Sequence, residues 1–220
     1  PRKMRSTRDL LRRRNHLMRK RSELLAHIQN TNSQYNLPEF GKKLAYKANR
    51  DGVAEHFPDP SVRKSIEVDL KLLDFYDQLL SNLELYIVKK AKADDVYSWY
   101  RLRSIPGVGK ILGLILLYEI HDINRFPTVQ DFVSYCRLVK CPRESAGKKF
   151  GTKNSKIGNG HLKWAFSEAA CLFLRGNEQA QHYHARLVSK YGKGKALSIL
   201  AHKIGRAVYF MLKRKEPFSM

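Results

Sequence analysis

Residues 66–87, I-E-V-D-L-K-L-L-D-F-Y-D-Q-L-L-S-N-L-E-L-Y-I, carry the clearest hydrophobic period in this sequence of 220 residues. Apolar residues recur every three or four positions along two adjacent lines, one formed by Leu73, Leu80 and Ile87 and the other by Ile66, Leu72, Tyr76, Leu79, Leu83 and Tyr86. A period sustained over about three heptads predicts a coiled coil or a long helical hairpin. The turn 58–60 precedes this helix, and Ser61 is its predicted cap.

The first 30 residues predict a helix that could pair with this one. Leu10, Leu17 and Leu24 are seven residues apart, which suits one apolar seam. The arginines on the same helix could form a solvated face or contact phosphate. The polar stretch 30–38 breaks the helix, and a short helix is predicted from Phe40 to Arg50. Residues 1–93 are therefore predicted to be a helical hairpin or coiled-coil arm, paired within one chain or between two.

Residues 94–220 predict a second helical domain, which begins with a helix at 96–103 after Asp94-Asp95. The sequence I-P-G-V-G-K (105–110) then leads into an apolar helix at 111–119. This is the helix-hairpin-helix pattern, in which Gly107 and Gly109 let the backbone turn tightly and approach a ligand. The start of the second helix offers N–H groups to a phosphate, with Lys110 beside them. A plain tight turn between two core helices is the alternative.

The remaining helices follow from caps and apolar periods. Thr128, with Asp131 three residues later, predicts a helix that continues through Val139. Asn159 is the predicted cap of a helix at 161–175. Two more helices are predicted at 178–191 and 195–213. Because almost no alternation of period two occurs, the predicted fold class is all-α.

The segment from Arg137 to Lys163 has no hydrophobic period, which argues against a packed strand or an amphipathic helix. It is rich in glycine, serine, asparagine and lysine, and a long basic loop inside a compact domain is uncommon unless it is functional. We expect it to meet a phosphodiester backbone. Ser145 could attack phosphorus there if a base or a metal activated it, but no obvious base is nearby. An ordinary loop serine is the alternative.

Composition restricts the partner class. The formal net charge of +22 points to a polyanion, with nucleic acid as the first candidate and an anionic membrane surface as the second. The longest apolar run, 111–120, is about half the roughly 20 residues that span a bilayer. Three cysteines argue for a reducing cytosol, and Cys136-x4-Cys141 lacks a second ligand pair, so no metal site is predicted. Since the chain begins at Pro1, we expect a fragment of a longer protein.

Four motifs in order resemble the C-terminal half of the insertion sequence 110/116/902 transposases. They are I-P-G-V-G-K (105–110), R-F-P-T-V-Q-D-F-V-S-Y-C-R-L-V (125–139), E-S-A-G-K (144–148) and I-G-N-G-H-L-K-W-A (157–165). The stretches P-R-K-M-R-S-T-R-D-L-L-R-R-R (1–14) and S-I-E-V-D-L-K-L-L-D (65–74) resemble the central helical region of the same family. The resemblance therefore covers essentially the whole chain.

The resemblance implies a mobile-element recombinase that acts on DNA as a homo-oligomer in the bacterial or archaeal cytoplasm, at the nucleoid. In this family a noncoding RNA bridges target and donor DNA, and an N-terminal RuvC-like domain holds magnesium with four acidic residues. The C-terminal domain supplies a serine that attacks DNA and forms a covalent phosphoserine intermediate. That acidic domain is missing here, so we expect no cofactor in this chain and nucleic-acid binding without recombination.

Carried over by position, the resemblance makes Ser145 the catalytic nucleophile. The predicted DNA-binding residues belong to the turn, the basic segment and the helix start after it: Gly107, Gly109, Lys110, Arg143, Gly147, Lys148, Lys149, Gly158, Asn159 and Lys163. Lys163 stands where arginine is commoner, which keeps the charge but loses bidentate phosphate binding. Ala146 separates Ser145 from Gly147, where many members have serine or no residue. Two alternatives stay open, a helix-hairpin-helix nucleic-acid-binding module without chemistry and a coiled-coil assembly element.

Overall fold

The computed structural model describes residues 2–153 and 157–219, and for residues 2, 3, 141–145 and 149–153 it describes the backbone alone. Within these ranges lie seven α-helices and one antiparallel hairpin: α1 (Arg2–Gln34), α2 (Pro60–Arg103), α3 (Lys110–Ile120), α4 (Val129–Tyr135), β1 (Cys141–Ser145), β2 (Lys148–Lys153), α5 (Gly160–Phe173), α6 (Glu178–Tyr191) and α7 (Lys193–Arg214). The prediction of an all-α fold is confirmed, with a short hairpin added inside the basic segment.

The chain divides into two compact units, which are described separately. The small unit comprises residues 9–87, and the large unit comprises residues 1–8 together with 88–220. No helix in the described ranges is long and apolar enough to cross a membrane.

The small unit is built on an antiparallel pairing of α1 and α2 within the chain. Polar side-chain contacts between the two helices recur about every seven residues: Arg14–Glu84 at 2.6 Å, Arg21–Asp77 at 2.5 Å and His27–Asp69 at 2.5 Å. This register buries a single line of α2 residues spaced by seven, namely Ile66, Leu73, Leu80 and Ile87. In the other predicted line, Tyr76, Leu79 and Leu83 are half-buried, and Leu72 and Tyr86 are exposed. The period alone does not say which of two neighbouring lines meets a partner.

The helix predicted from Phe40 to Arg50 is wrong, because the described backbone forms only a 3-10 turn at Lys47–Asn49. The reason is the buried guanidinium of Arg50, around which the loop is folded. Its Nε donates to the Leu44 carbonyl at 3.0 Å, and its terminal nitrogens donate to Asp74 and Asp77, each at 2.7 Å. In a regular helix the Leu44 carbonyl would accept a hydrogen bond from the helix backbone and would not be available to Arg50.

Two helix limits in the small unit differ from the predicted ones. The Asp59 carboxylate, rather than Ser61, caps α2 by accepting from the Ser61 and Val62 N–H groups at 2.8 and 3.0 Å. Pro60 then occupies the first helical position, which suits a residue without an N–H. At the other end, α1 continues past Asn30 to Gln34, since Asn32 is buried and donates to the Pro38 carbonyl at 2.9 Å.

The large unit packs its helices around α3 and α7. All nine residues from Leu112 to Ile120 are buried, so neighbouring segments cover α3 on all its faces. Helix α5 contacts α3 on one side and α7 on the other, while α4 and α6 also contact α7. The predicted new helix at 96–103 is confirmed, because Asp95 has non-helical backbone angles and its carboxylate accepts from the Ser98 N–H at 2.9 Å.

Candidate nucleic-acid interface

The centre of the basic segment is a two-residue β-hairpin. Ser145 pairs with Lys148 at the end of the ladder, and Ala146 and Gly147 form the turn with φ of 49° and 74°. Positive φ at both central residues is the geometry of a type I′ turn, whose twist matches that of the paired strands. Apolar and polar residue types do not alternate along these strands, so the sequence pattern did not reveal them. A register shift between Pro142 and Glu144 marks a bulge.

The backbone of Ser145 therefore lies at a defined point, the last strand residue before the turn. The side chains of Ser145, Arg143 and Lys149 lie outside the described residues. Lys148 is described and exposed, as is Gly147 in the turn. The turn places residues 145 and 148 directly opposite each other, which brings the predicted nucleophile and one predicted phosphate contact to the same end of the hairpin.

The helix predicted to continue to Val139 instead ends at Tyr135. Arg137 adopts a left-handed conformation with φ 56°. Its N–H donates to the Ser134 carbonyl at 2.9 Å, and the Leu138 N–H donates to the Val133 carbonyl at 2.9 Å. These two bonds form a Schellman motif, which ends the helix and turns the chain toward β1. A non-glycine residue at this position gives no sequence signal, which is why the end was predicted too late.

The two ends of the basic segment are joined at its base. The Asn159 N–H donates to the Tyr135 carbonyl at 2.7 Å, and Arg137 Nη2 donates to the Gly158 carbonyl at 2.8 Å. Gly158 has φ +100°, and a Cβ there would lie 2.6 Å from the Tyr135 carbonyl oxygen, so this crossing requires glycine. The base of the basic segment is therefore held between the end of α4 and the start of α5.

Asn159 is the predicted cap of α5, and its Oδ1 accepts from the His161 and Leu162 N–H groups at 2.9 and 3.1 Å. Its Nδ2 donates to Glu119 Oε2 at 2.8 Å, in the buried interior beside the end of α3. Both ends of the amide thus have partners inside the fold. The residue holds the start of α5 against α3 and so positions the exposed groups around it, among them Lys163.

The turn before α3 brings Gly107 against α5. Gly107 has φ +82°, and a Cβ there would lie 2.6 Å from the backbone carbon of Leu172. Because Gly107 has no side chain, the turn can approach another segment closely, and that segment is α5 of the same chain. Packing therefore accounts for this glycine whether or not a ligand binds nearby.

Gly109 is in a different setting, because it is the N-cap of α3 and nothing lies within 4 Å of where its Cβ would be. No side chain caps this helix end. Gly109 and Lys110 are both exposed. The N–H groups of the first turn and the positive end of the helix dipole are the features that bind anions at helix starts.

The two predicted anion sites lie at opposite ends of an antiparallel pair of helices. The start of α3 is beside Leu172 near the end of α5, whereas Glu119 near the end of α3 bonds Asn159 at the start of α5. Twelve residues of α5 separate Gly160 from Leu172, which corresponds to about 18 Å. The turn and the base of the hairpin are therefore distinct contacts rather than one pocket.

The described residues do not bring together three or more histidine, cysteine, aspartate or glutamate side chains that could hold a metal ion. Burial raises the pKa of the Cys136 thiol above its ordinary range, which keeps that thiol protonated and unreactive. The chemistry available in the described part is thus positive charge and backbone donors for a phosphate.

Sequence reasoning missed four residues of this region: Glu119, Tyr135, Arg137 and Trp164. The first three act through contacts with segments 21 to 40 residues away, for which a single sequence gives no signal. Trp164 lies on α5, and 48% of its surface is exposed. Trp164 follows Lys163 and does not lie on the helix face formed by the buried Leu162, Ala165 and Phe166. This position in the helical period is the signal that could have identified it.

The chain was compared with known proteins. Residues 100–185 match the model of the transposase IS116/IS110/IS902 family, a range that covers the turn, α3, α4, the hairpin, α5 and part of α6. The chain is also 24% identical, over 223 residues, to the transposase for insertion sequence element IS1111A of Coxiella burnetii (strain RSA 493 / Nine Mile phase I). That match covers 95% of this chain and 59% of the relative's length. Residues 100–185 of this chain are therefore similar to the transposase IS116/IS110/IS902 family.

Proposed function

We propose that this chain is the DNA-binding and nucleophile-bearing part of an insertion-sequence transposase. The observation that carries the proposal is the place of Ser145, directly before the turn of a basic hairpin whose base is closed by hydrogen bonds. The hairpin lies within the segment that matches the transposase family. A serine beside the turn of a cationic hairpin can reach a DNA backbone without a concave pocket around it.

The proposed step is a transfer of one phosphodiester from DNA to the protein. The Ser145 oxygen loses its proton and attacks phosphorus, a P–O bond to one deoxyribose breaks, and the leaving oxygen takes up a proton and departs as a hydroxyl group. The backbone charge of the phosphate is balanced by Lys148 and the neighbouring cations Arg143 and Lys149. The phosphoserine that results preserves the energy of the broken bond, so that a second DNA hydroxyl can reverse the step on another strand.

The resemblance implies magnesium held by four acidic residues of a RuvC-like domain. The described part of this chain offers no ligand set of that kind, so its residues do not fit the ion and no step is derived through it. The same resemblance leads us to propose a bridging noncoding RNA and further copies of the chain as partners. It also leads us to propose the bacterial or archaeal cytoplasm, at the nucleoid, as the place of action.

The turn 104–109 and the start of α3 form the proposed helix-hairpin-helix contact with DNA. Gly109 and Lys110 present backbone donors and a cation to a phosphate. The separation of about 18 Å from the start of α5 corresponds to about five base pairs along one strand. One duplex could thus contact the turn while the hairpin, Gly158 and Lys163 meet the backbone further along.

The covalent step is tested with Ser145→Ala in a protein that joins this chain to the acidic domain. We expect loss of the covalent protein–DNA adduct, measured on a denaturing gel with end-labelled DNA, while DNA affinity stays within a few fold. Ser167→Ala is the matched control, since Ser167 is exposed on α5 and its hydroxyl donates to the Lys163 carbonyl at 2.9 Å. That control should form the adduct at the wild-type level.

An adduct that persists in Ser145→Ala would refute the assignment of the nucleophile. If wild-type protein bound DNA but formed no adduct under any metal condition, the favoured function would be a nucleic-acid-binding module without chemistry. The exposed start of α3 supports that second function, because it needs only backbone donors and charge.

A further inference from the structure

We propose that Trp164 is a stacking platform for an unpaired nucleobase at the base of the hairpin. This inference rests on the proposed DNA binding and adds a site for a base to the sites for phosphate. Trp164 is 48% exposed on α5, one turn after the capped start of the helix. Tryptophan is enriched at binding interfaces, because its ring presents a large apolar face together with a polar N–H group.

The position of the indole is fixed by the helix beneath it. Leu162, Ala165 and Phe166 are buried on either side of it in the sequence, and Asn159 holds the first turn by its cap. Trp164 therefore does not depend on the hairpin strands for its place. A rigid aromatic ring loses little entropy when a base stacks on it.

The space beside the indole suits a base and its phosphate. Side chains on a helix lean toward its N-terminus, so the indole leans over the turn that contains Gly160. Gly160 is exposed and has no side chain to occupy that space. A Cβ at Gly160 would lie 3.3 Å from Arg137 Nη1, which places a guanidinium at the edge of the same space.

The charges around Trp164 favour nucleic acid over a protein surface. Lys163, the preceding residue, is exposed, and the Arg137 guanidinium lies one helical turn away. The nearest carboxylate along the helix, Glu168, is one turn later, on the side from which the indole leans away. Aromatic rings interleaved with cations are how proteins hold single-stranded nucleic acid, because every base has a face that can stack.

The chain offers a spectroscopic test because it has two tryptophans, and Trp99 is only 2% exposed. The full chain is titrated with a thymidine oligonucleotide, a uridine oligonucleotide and a blunt DNA duplex, and indole emission is recorded. Saturation with a single strand should quench the emission of Trp164 and protect it from acrylamide. Trp164→Phe, which reports Trp99 alone, should show no change.

Affinity supplies the second measurement. Trp164→Ala should lose roughly 5- to 150-fold in affinity for the single strand, which is the usual range for one base on one aromatic ring. The loss for the duplex should be at most a few fold. Tyr46→Ala is the matched control, because Tyr46 is 65% exposed in the small unit and should bind like the wild type. Whether the thymidine or the uridine strand quenches Trp164 identifies the base as DNA or RNA.

The failure of this inference can be distinguished from failure of the proposed function. If the chain binds duplex with a steep salt dependence while Trp164→Ala binds single strands like the wild type, the stacking site is refuted and DNA binding stands. If Trp164 becomes shielded at higher protein concentration without nucleic acid, its partner is protein and the inference is also refuted. A chain that binds no nucleic acid at all refutes both.

Discussion

Replacing Gly109 by aspartate should stabilise the protein and weaken its binding to DNA, two effects that are opposite in sign. Gly109 is the N-cap of α3 with extended backbone angles of φ −77° and ψ −172°, which aspartate adopts without strain. Nothing lies within 4 Å of the position of its Cβ, so the new side chain meets no steric obstacle. The substitution therefore probes the helix start without disturbing the packing of the turn.

Both magnitudes follow from this geometry. An aspartate N-cap satisfies an N–H of the first turn and complements the helix dipole, which together add about 0.5–1 kcal/mol to the free energy of unfolding. If a DNA phosphate lies at the same helix start, two negative charges about 4 Å apart repel by about 1 kcal/mol in water and about 4 kcal/mol at an effective dielectric constant of about 20. We expect an affinity loss of about tenfold or more.

Gly109→Asn is the matched control, since asparagine caps equally well and has the same shape without the charge. Affinity for a labelled duplex is measured by fluorescence anisotropy over a salt series, and stability by thermal unfolding. The asparagine variant should bind within about twofold of the wild type at the salt where aspartate costs about tenfold. Equal affinities of the two variants would refute phosphate binding at the start of α3 and leave the turn as a packing element.

Three further predictions concern stability. Arg50→Met should lower the free energy of unfolding by about 2–3 kcal/mol in urea titrations, because buried carbonyls and partly exposed carboxylates lose their donor. The control is Lys47→Met, at a side chain that is 73% exposed, which should change this free energy by less than about 0.5 kcal/mol. Similar losses in the two variants would contradict the role of Arg50. Burial would raise the pKa of Asp77, but hydrogen bonds from two arginines lower this pKa below its ordinary value. The stability that Asp77 contributes is therefore present above about pH 4 and is lost as the pH falls through the lowered pKa. Asp77→Asn should flatten this acid limb of the unfolding curve, and an unchanged limb would exclude Asp77 as its source. Asn159→Asp keeps a good helix cap but places a carboxylate against Glu119. The melting temperature should therefore fall by an amount equivalent to about 2–4 kcal/mol. A variant as stable as the wild type would contradict the buried contact between the Asn159 amide and Glu119.

The local elements of the fold were predictable because their causes lie within a few residues. The Thr128–Asp131 capping box and the Asn159 cap are both present, since each depends on a side chain and an N–H two or three residues apart. The new helix after Asp95 was predictable for the same reason. Asp59 replaced Ser61 as the cap of α2 because both residue types cap well and only the turn geometry decides between them.

Contacts between distant segments, and local backbone conformations that are unusual for their residue types, account for what the sequence did not reveal. The loop before α2 folds around Arg50, whose carboxylate partners lie 24 and 27 residues away. Arg137 ends α4 in a left-handed conformation that residue type does not announce. The hairpin is held by ladder hydrogen bonds and a type I′ turn with Ala146 in its first position, instead of the usual asparagine or aspartate.

The candidate site shows the same division. The motifs around Ser145, Gly158 and Lys163 could be read from the sequence, because each is a short string of residues that resembles a motif of a known family. The sequence could not show that the turn and the hairpin base are separated by the length of α5. It also could not show that Gly107 packs against Leu172.

The sequence by itself determined the helices, several of their caps, the excess of positive charge and the identity of the motifs, since period, capping and charge are properties of neighbouring residues. Only the tertiary structure decided which line of α2 is buried, where the basic segment is closed by Arg137, Gly158 and Asn159, and which aromatic ring remains exposed beside it. Those outcomes depend on atoms far apart in the chain that meet only after packing has excluded water between the helices.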